Sequence, residues 1–162
     1  GVCENGKAWE EAAYDRVWHL RYTPDGHLTA LVSDMGEWTA AKDGVLWENR
    51  AEFVWNPVSG RNGGPLTAAA QSGRRYFAIT DDRPWENRFA DISGLAVSPD
   101  GAHAAAVVQT ETFGEADIPA FLEGRYTVAA DGKAWDRNYV SVWDPVFSPN
   151  GRKLAASERV TL

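Results

Sequence analysis

The stretch "DGKAWDRNYVSVWDPVFSPNGRKLAA", residues 131–156, holds two turn signals, three aromatic anchors and no evident catalytic group. With Trp135 as origin, the same residue types recur at the same offsets elsewhere. Around Trp47, "DGVLWENRAEFVWNPVSGRNGGPLTAA" aligns without a gap: Trp55 stands where Trp143 does, and Pro57, Val58 and Asn62-Gly63 stand where Pro145, Val146 and Asn150-Gly151 do. "DDRPWENRFADISGLAVSPDGAHAAAV" aligns Trp85, Phe89 and Ser98-Pro99-Asp100-Gly101, also without a gap. "NGKAWEEAAYDRVWHLRYTPDGHLTALV" needs one inserted residue after Trp9 before Tyr14, Trp18 and Thr23-Pro24-Asp25-Gly26 fall into place. The origins Trp9, Trp47, Trp85 and Trp135 are spaced by 38, 38 and 50 residues.

A period in this range marks a repeat architecture. Within one period, short apolar and β-branched runs are punctuated by Asp-Gly, Asn-Gly and Pro-Asp-Gly, the pattern of strands joined by tight hairpins. The last copy reads as a strand over 140–147, a Pro-Asn-Gly turn and a strand over 152–159. "GRYTVAADGKAW" reads as a preceding hairpin with Asp131-Gly132 at its tip, because both central residues of such a turn take positive φ. "EWTAAKDGVLW" and "YFAITDDRPW" are its counterparts. No window sustains apolar residues at helical spacing, so a helical repeat is disfavoured. Four antiparallel strands per period of about 40 residues predict an all-β fold, a β-propeller of four-stranded blades.

The phase of the repeat predicts three full blades between two half blades, within a single domain spanning 1–162. The halves either pair, "GKAW" with "KLAASE", to close a four-blade ring without exposed edges, or belong to a larger propeller. Both remain open at this point. Eight tryptophans are unusual for this length, and seven of them occupy two repeat positions, which favours packing between blades. Trp38 lies outside both series and is the better candidate for an exposed contact.

The formal net charge of −7 disfavours nonspecific nucleic-acid binding and docking on anionic lipid. No apolar run reaches the ~18 residues of a membrane span, so direct membrane insertion is not expected. Cys3 is the only cysteine, which excludes an internal disulfide, a cysteine zinc site and Cys-pair haem attachment. His19 falls in a first strand, while His27 and His103 lie at equivalent turn exits of different repeats, too far apart in a propeller to share a metal. No phosphate loop, nucleophile elbow or calcium-loop spacing is present, and no cofactor is expected.

One polar constellation repeats after the anchoring tryptophan: Glu48-Asn49-Arg50, Glu86-Asn87-Arg88 and Asp136-Arg137-Asn138. We expect it where the last strand of one blade crosses to the next. There it either caps the crossover backbone or forms a polar ring at the channel mouth. The extra 12 residues of the third period fall in "TETFGEADIPAFLEGR", residues 110–125, between a second and a third strand. Topology puts that connection on the same face as the crossovers. The expected partner-binding face therefore carries the three motifs, with Phe113 and Phe121 as apolar anchors.

"VSPDGAHAAAV" and "FSPNGRKLAA" resemble the Ser-Pro-Asp-Gly turn of WD-like repeats in TolB-type propellers, over nearly the whole chain. The Trp-Asp dipeptide of true WD repeats does not close the blades; Trp135-Asp136 and Trp143-Asp144 occur in another setting. More narrowly, the chain resembles the tryptophan-rich D subunit, TmcD, of transmembrane redox complexes in sulfate-respiring bacteria. That resemblance implies a cofactor-free accessory subunit with protein partners, among them membrane-bound redox subunits. Its expected location is the cytoplasmic side of such a complex in preference to the periplasm, although composition leaves the compartment open. The leading expectation is a non-catalytic interaction scaffold. The alternative is an enzyme or small-ligand binder using the central funnel, as in quinoprotein propellers, whose "GK-x-W" blade motif the "DGKAW" of residues 131–135 loosely resembles.

Overall fold

The computed structural model describes residues 1–9, 14–112, 114 and 118–161. An N-terminal hairpin pairs β1 (Cys3–Glu4) with β2 (Lys7–Ala8). A first four-stranded sheet follows, of β3 (Arg16–Tyr22), β4 (Leu28–Asp34), β5 (Glu37–Lys42) and β6 (Val45–Leu46). The second comprises β7 (Phe53–Gly60), β8 (Gly63–Ser72), β9 (Arg75–Thr80) and β10 (Arg83–Pro84). The third comprises β11 (Asp91–Val97), β12 (Ala104–Gln109), β13 (Tyr126–Ala130) and β14 (Lys133–Ala134), with a short helix α1 (Ile118–Glu123) between β12 and β13. A final hairpin pairs β15 (Ser141–Phe147) with β16 (Leu154–Arg159). Every ladder is antiparallel and every sheet follows chain order.

The sheets stack in sequence. β7 packs on β4 and β5, β11 on β7, β8 and β9, and β15 on β11, β12 and β13. Stacking covers both faces of each inner sheet, so its second strand is buried almost throughout rather than alternately. Alanine fills much of that interior (Ala40, Ala68, Ala70, Ala104, Ala106, Ala129), and the large Trp47, Trp85, Phe77 and Phe89 pack among these small residues in one cluster. The expected hairpin tips are present. Asn5, Asp43, Asp81 and Asp131 all take positive φ, as two-residue turns matched to strand twist require.

Each first strand carries an irregularity at the same place that the sequence pattern did not announce, and β7 has a second between Ser59 and Gly60. The register jumps between Trp18 and Arg21, Trp55 and Val58, Ser93 and Ala96, and Trp143 and Val146. The residue that opens each bulge is left-handed: His19, Asn56, Gly94 and Asp144, with φ between 51° and 56°. These are the residue types that visit that region at least cost. His19 and the Asp of Trp143-Asp144 thus have a backbone role.

The two terminal hairpins form separate two-stranded sheets. Pairing of "GKAW" with "KLAASE", which a closed four-blade ring requires, is not made among the described residues. β16 keeps a free edge instead.

Candidate functional site

The polar motifs lie between the last strand of one sheet and the first strand of the next: 48–50 between β6 and β7, 86–88 between β10 and β11, and 136–138 between β14 and β15. Trp47 continues the outer strand by donating its N–H to Ala40 O, and Ala51 then pairs with Trp38 through both backbone bonds. Residues 48–50 therefore loop out at the outer edge of the first sheet before the chain crosses to β7. Tyr76 with Phe89 and Tyr126 with Tyr139 repeat the same closure around residues 86–88 and 136–138. Because one backbone pairing is made after the motif, three residues loop out before the chain leaves the sheet. Thr39 Oγ1 satisfies the carbonyls so exposed, donating to Trp47 O at 3.3 Å and Asn49 O at 2.8 Å. Thr127 Oγ1 donates to Arg137 O at 2.7 Å in the third sheet. In the second sheet Phe77 takes that position, and the Arg88 guanidinium lies over its ring, 3.3 Å from the centroid. Burial against the ring lowers the Arg88 pKa.

These loops join one sheet to the next. The Asp82 carboxylate, at the hairpin tip of the second sheet, accepts from the N–H of Glu48 and of Asn49, both at 2.9 Å, and from Asn49 Nδ2 at 3.0 Å. Asn49 Nδ2 also donates to Asp82 O at 2.8 Å. Partial desolvation would raise the Asp82 pKa, but the bonds from Asn49 and Glu48 outweigh it and the net shift is downward. One sheet later, Asn87 Nδ2 donates to Gly132 O at 2.8 Å. Trp85 lies so close to Gly132 that a Cβ there would stand 2.9 Å from the tryptophan Cβ and Cγ. Trp9 sits on Gly44 in the same manner. Two of the motifs thus sit at joints between sheets, and among the described residues no bond links one motif to another. Glu48, Arg50, Glu86, Asn87, Arg88, Asp136 and Arg137 stay exposed, while Asn49 and Asn138 are half-buried.

Trp38 is not an exposed contact. It is 5% exposed, because the third strand lies between stacked sheets, and its ring packs 5.0 Å from that of Trp18. Trp18 is the exposed member of that pair.

The insertion lies between β12 and β13 as expected and contains α1, which strand periodicity could not signal. Ala120 is buried, whereas Ile118 and Leu122, one turn apart, are 65% and 51% exposed. Gly124 closes the helix at φ +81°, and a Cβ there would stand 2.0 Å from Tyr139 O. The insertion therefore abuts the end of the third motif. Phe113 lies outside the described residues, and so does the side chain of Phe121.

Two clusters were missed. His27 Nδ1 meets Asp43 Oδ2 at 2.5 Å and His103 Nδ1 meets Asp131 Oδ2 at 2.8 Å, each pair tying the two hairpin tips of one sheet. Each aspartate also accepts from the next backbone N–H, of Leu28 or Ala104. The signal was the matching repeat positions of His and Asp, 16 residues apart in the first sheet and 28 in the third, where the insertion lies between them. The first-hairpin turns also converge: Asp25 Oδ2 accepts from Gly64 N–H at 3.1 Å, Pro99 O accepts from Asn62 N–H at 3.0 Å, and Arg61 Nη2 donates to Pro149 O at 3.5 Å. Bonds from Thr23 Oγ1 and Gly64 N–H pull the Asp25 pKa down to about 2. Between these first strands lies a cleft of about 240 Å³ lined by Ser59, Val97, Pro145 and Phe147, with Arg61 as its one charged group. That is smaller than the roughly 300–1,000 Å³ of ordinary small-molecule sites.

Among the described residues no group of three or more His, Cys, Asp or Glu could hold a metal, and no helix is long and apolar enough to cross a membrane. A scan against family models finds no match to the chain, and a search of curated proteins finds no similar sequence.

Proposed function

We propose that the stacked sheets are blades of a β-propeller and that the protein is a non-catalytic interaction scaffold, an accessory subunit of an electron-transfer complex. The observation that carries the scaffold reading is α1: an aliphatic pair, Ile118 and Leu122, held in solvent on one face of a helix whose Ala120 is anchored. Exposed apolar groups on an inserted, one-sided element are the usual mark of a contact surface. Asp136 and Arg137 are exposed, and the Tyr139 backbone that follows them lies against Gly124 at the end of the helix. The electron-transfer assignment rests on the tryptophan-rich repeat alone.

Capture of the tagged chain from membranes of its native host tests both parts. We expect the captured material to carry haem absorbance, and Ile118→Glu with Leu122→Glu to lose it without a change in melting temperature. Capture unchanged by the double substitution removes α1 from the reading, and captured protein without haem or iron–sulfur absorbance removes the redox assignment.

A further inference from the structure

The second sheet breaks the pattern of the other repeats at its first turn, between β7 and β8. In register with the anchoring tryptophans, Arg61 stands where the others carry Pro24, Pro99 and Pro149, and Ser59 stands where they carry Tyr22, Val97 and Phe147. Gly60 likewise replaces Thr23, Ser98 and Ser148. Those three hydroxyls each close their turn by accepting from a backbone N–H, of His27, His103 or Lys153, at 2.9 to 3.0 Å. Close approach accounts for Gly60, since a Cβ there would stand 2.3 Å from Pro99 O of the next sheet. It does not account for a cation and a hydroxyl at positions that are proline or apolar in the other three repeats. Residues that break a local rule without a structural return mark functional sites.

Both departures meet at the cleft between the first strands. Ser59 lies on its β7 wall, and Val97, Pro145 and Phe147 lie on its β11 and β15 walls. From the rim Arg61 reaches across to the turn of the last hairpin, where Nη2 donates to Pro149 O at 3.5 Å. That is the only side-chain bond Arg61 makes among the described residues, it is long, and it leaves most of the guanidinium donors unused. Ser59 Oγ makes none among the described residues. The chain has 23 acidic residues against 16 basic ones, yet no acid lines the cleft, whose other walls are alanine, valine, proline and phenylalanine. A guanidinium left without a carboxylate in so acidic a chain suits a ligand that brings its own.

We infer that this cleft binds a small free carboxylate with a short apolar body. Arg61 pairs with the carboxylate, Ser59 donates to it, and the apolar body lies against Val97, Pro145 and Phe147. At about 30 Å³ per water, the cleft's volume of about 240 Å³ holds about eight waters, or an acid of about seven non-hydrogen atoms. A peptide end with its preceding residues is too large for it. The inference rests on the departing repeat and is independent of α1 and of any redox partner.

Titration of the isotope-labelled chain with isovalerate, followed by NMR, should give saturable shifts at the Val97 methyls and the Arg61 Nε–H. Isovaleramide, similar in shape but uncharged, should bind about tenfold or more less tightly, and so should isovalerate to Arg61→Gln, whose melting temperature should not change. Arg61→Lys should keep part of the affinity. N-acetylvaline, a stand-in for a peptide end, should bind less tightly than isovalerate. No saturation with tens of millimolar isovalerate overturns the inference, as does equal binding of the amide or undiminished binding by Arg61→Gln. Tighter binding of N-acetylvaline makes the cleft a site for a chain end and overturns the assignment to a free acid.

Discussion

At Asp82 a single carboxylate takes three bonds from the preceding sheet, two of them from backbone N–H groups of the 48–50 loop. Leaving such donors unsatisfied costs about 1–3 kcal/mol. We expect Asp82→Ala to lower the denaturant midpoint accordingly, and Glu48→Ala, which contributes only its backbone to that contact, to change stability by less than about 0.5 kcal/mol. Asp25, Asp43, Asp82 and Asp100 all have lowered pKa values. Their folded values lie below the unfolded one, so they contribute stability above about pH 4 that is lost as pH falls toward 2. Chemical unfolding followed across that window should show the loss, and Asp82→Asn should flatten it. The Trp spacing made these contacts findable only in part: Asn49 was singled out, but the sequence carried no hint that Asp82, 33 residues on, was its acceptor. The error over Trp38 has the same root, since its position between two sheets depends on stacking that one repeat does not reveal.

At the scale of elements, the bulge in every first strand fixes where the strand bends. Asn56→Val should cost about 1–2 kcal/mol, the penalty for a branched side chain in the left-handed region, whereas Asn56→Gly should be near neutral. The convergent turns are tighter still. Gly60 is not at positive φ, yet a Cβ there would stand 2.3 Å from Pro99 O of the next sheet. Gly60→Ala should therefore destabilise by about 1–3 kcal/mol through crowding alone, measurable as a drop in melting temperature. Strand and hairpin positions were legible because Asp-Gly and Asn-Gly tips and the apolar runs are local signals. The connections that carry the polar motifs were legible too, but the single pairings that follow them, Trp38 with Ala51 and Tyr76 with Phe89, were not, because one isolated pair leaves no local signal. Helix α1 was likewise illegible: six residues are too few to display a helical period.

For the whole molecule, the account turns on one contact repeated down the stack, by which each sheet seats its anchoring tryptophan and its loop on the hairpin tip of the next. That contact accounts for the anchoring series Trp9, Trp47 and Trp85 and for the small-residue interior on which they pack. Its most direct test is a double-mutant cycle between Asn49 and Asp82, read by equilibrium unfolding. Asn49→Ala and Asp82→Ala should show a coupling energy of about 1 kcal/mol across the two sheets, within a single cooperative transition. Strictly additive losses, or two separate transitions, would contradict a stack held together at these joints.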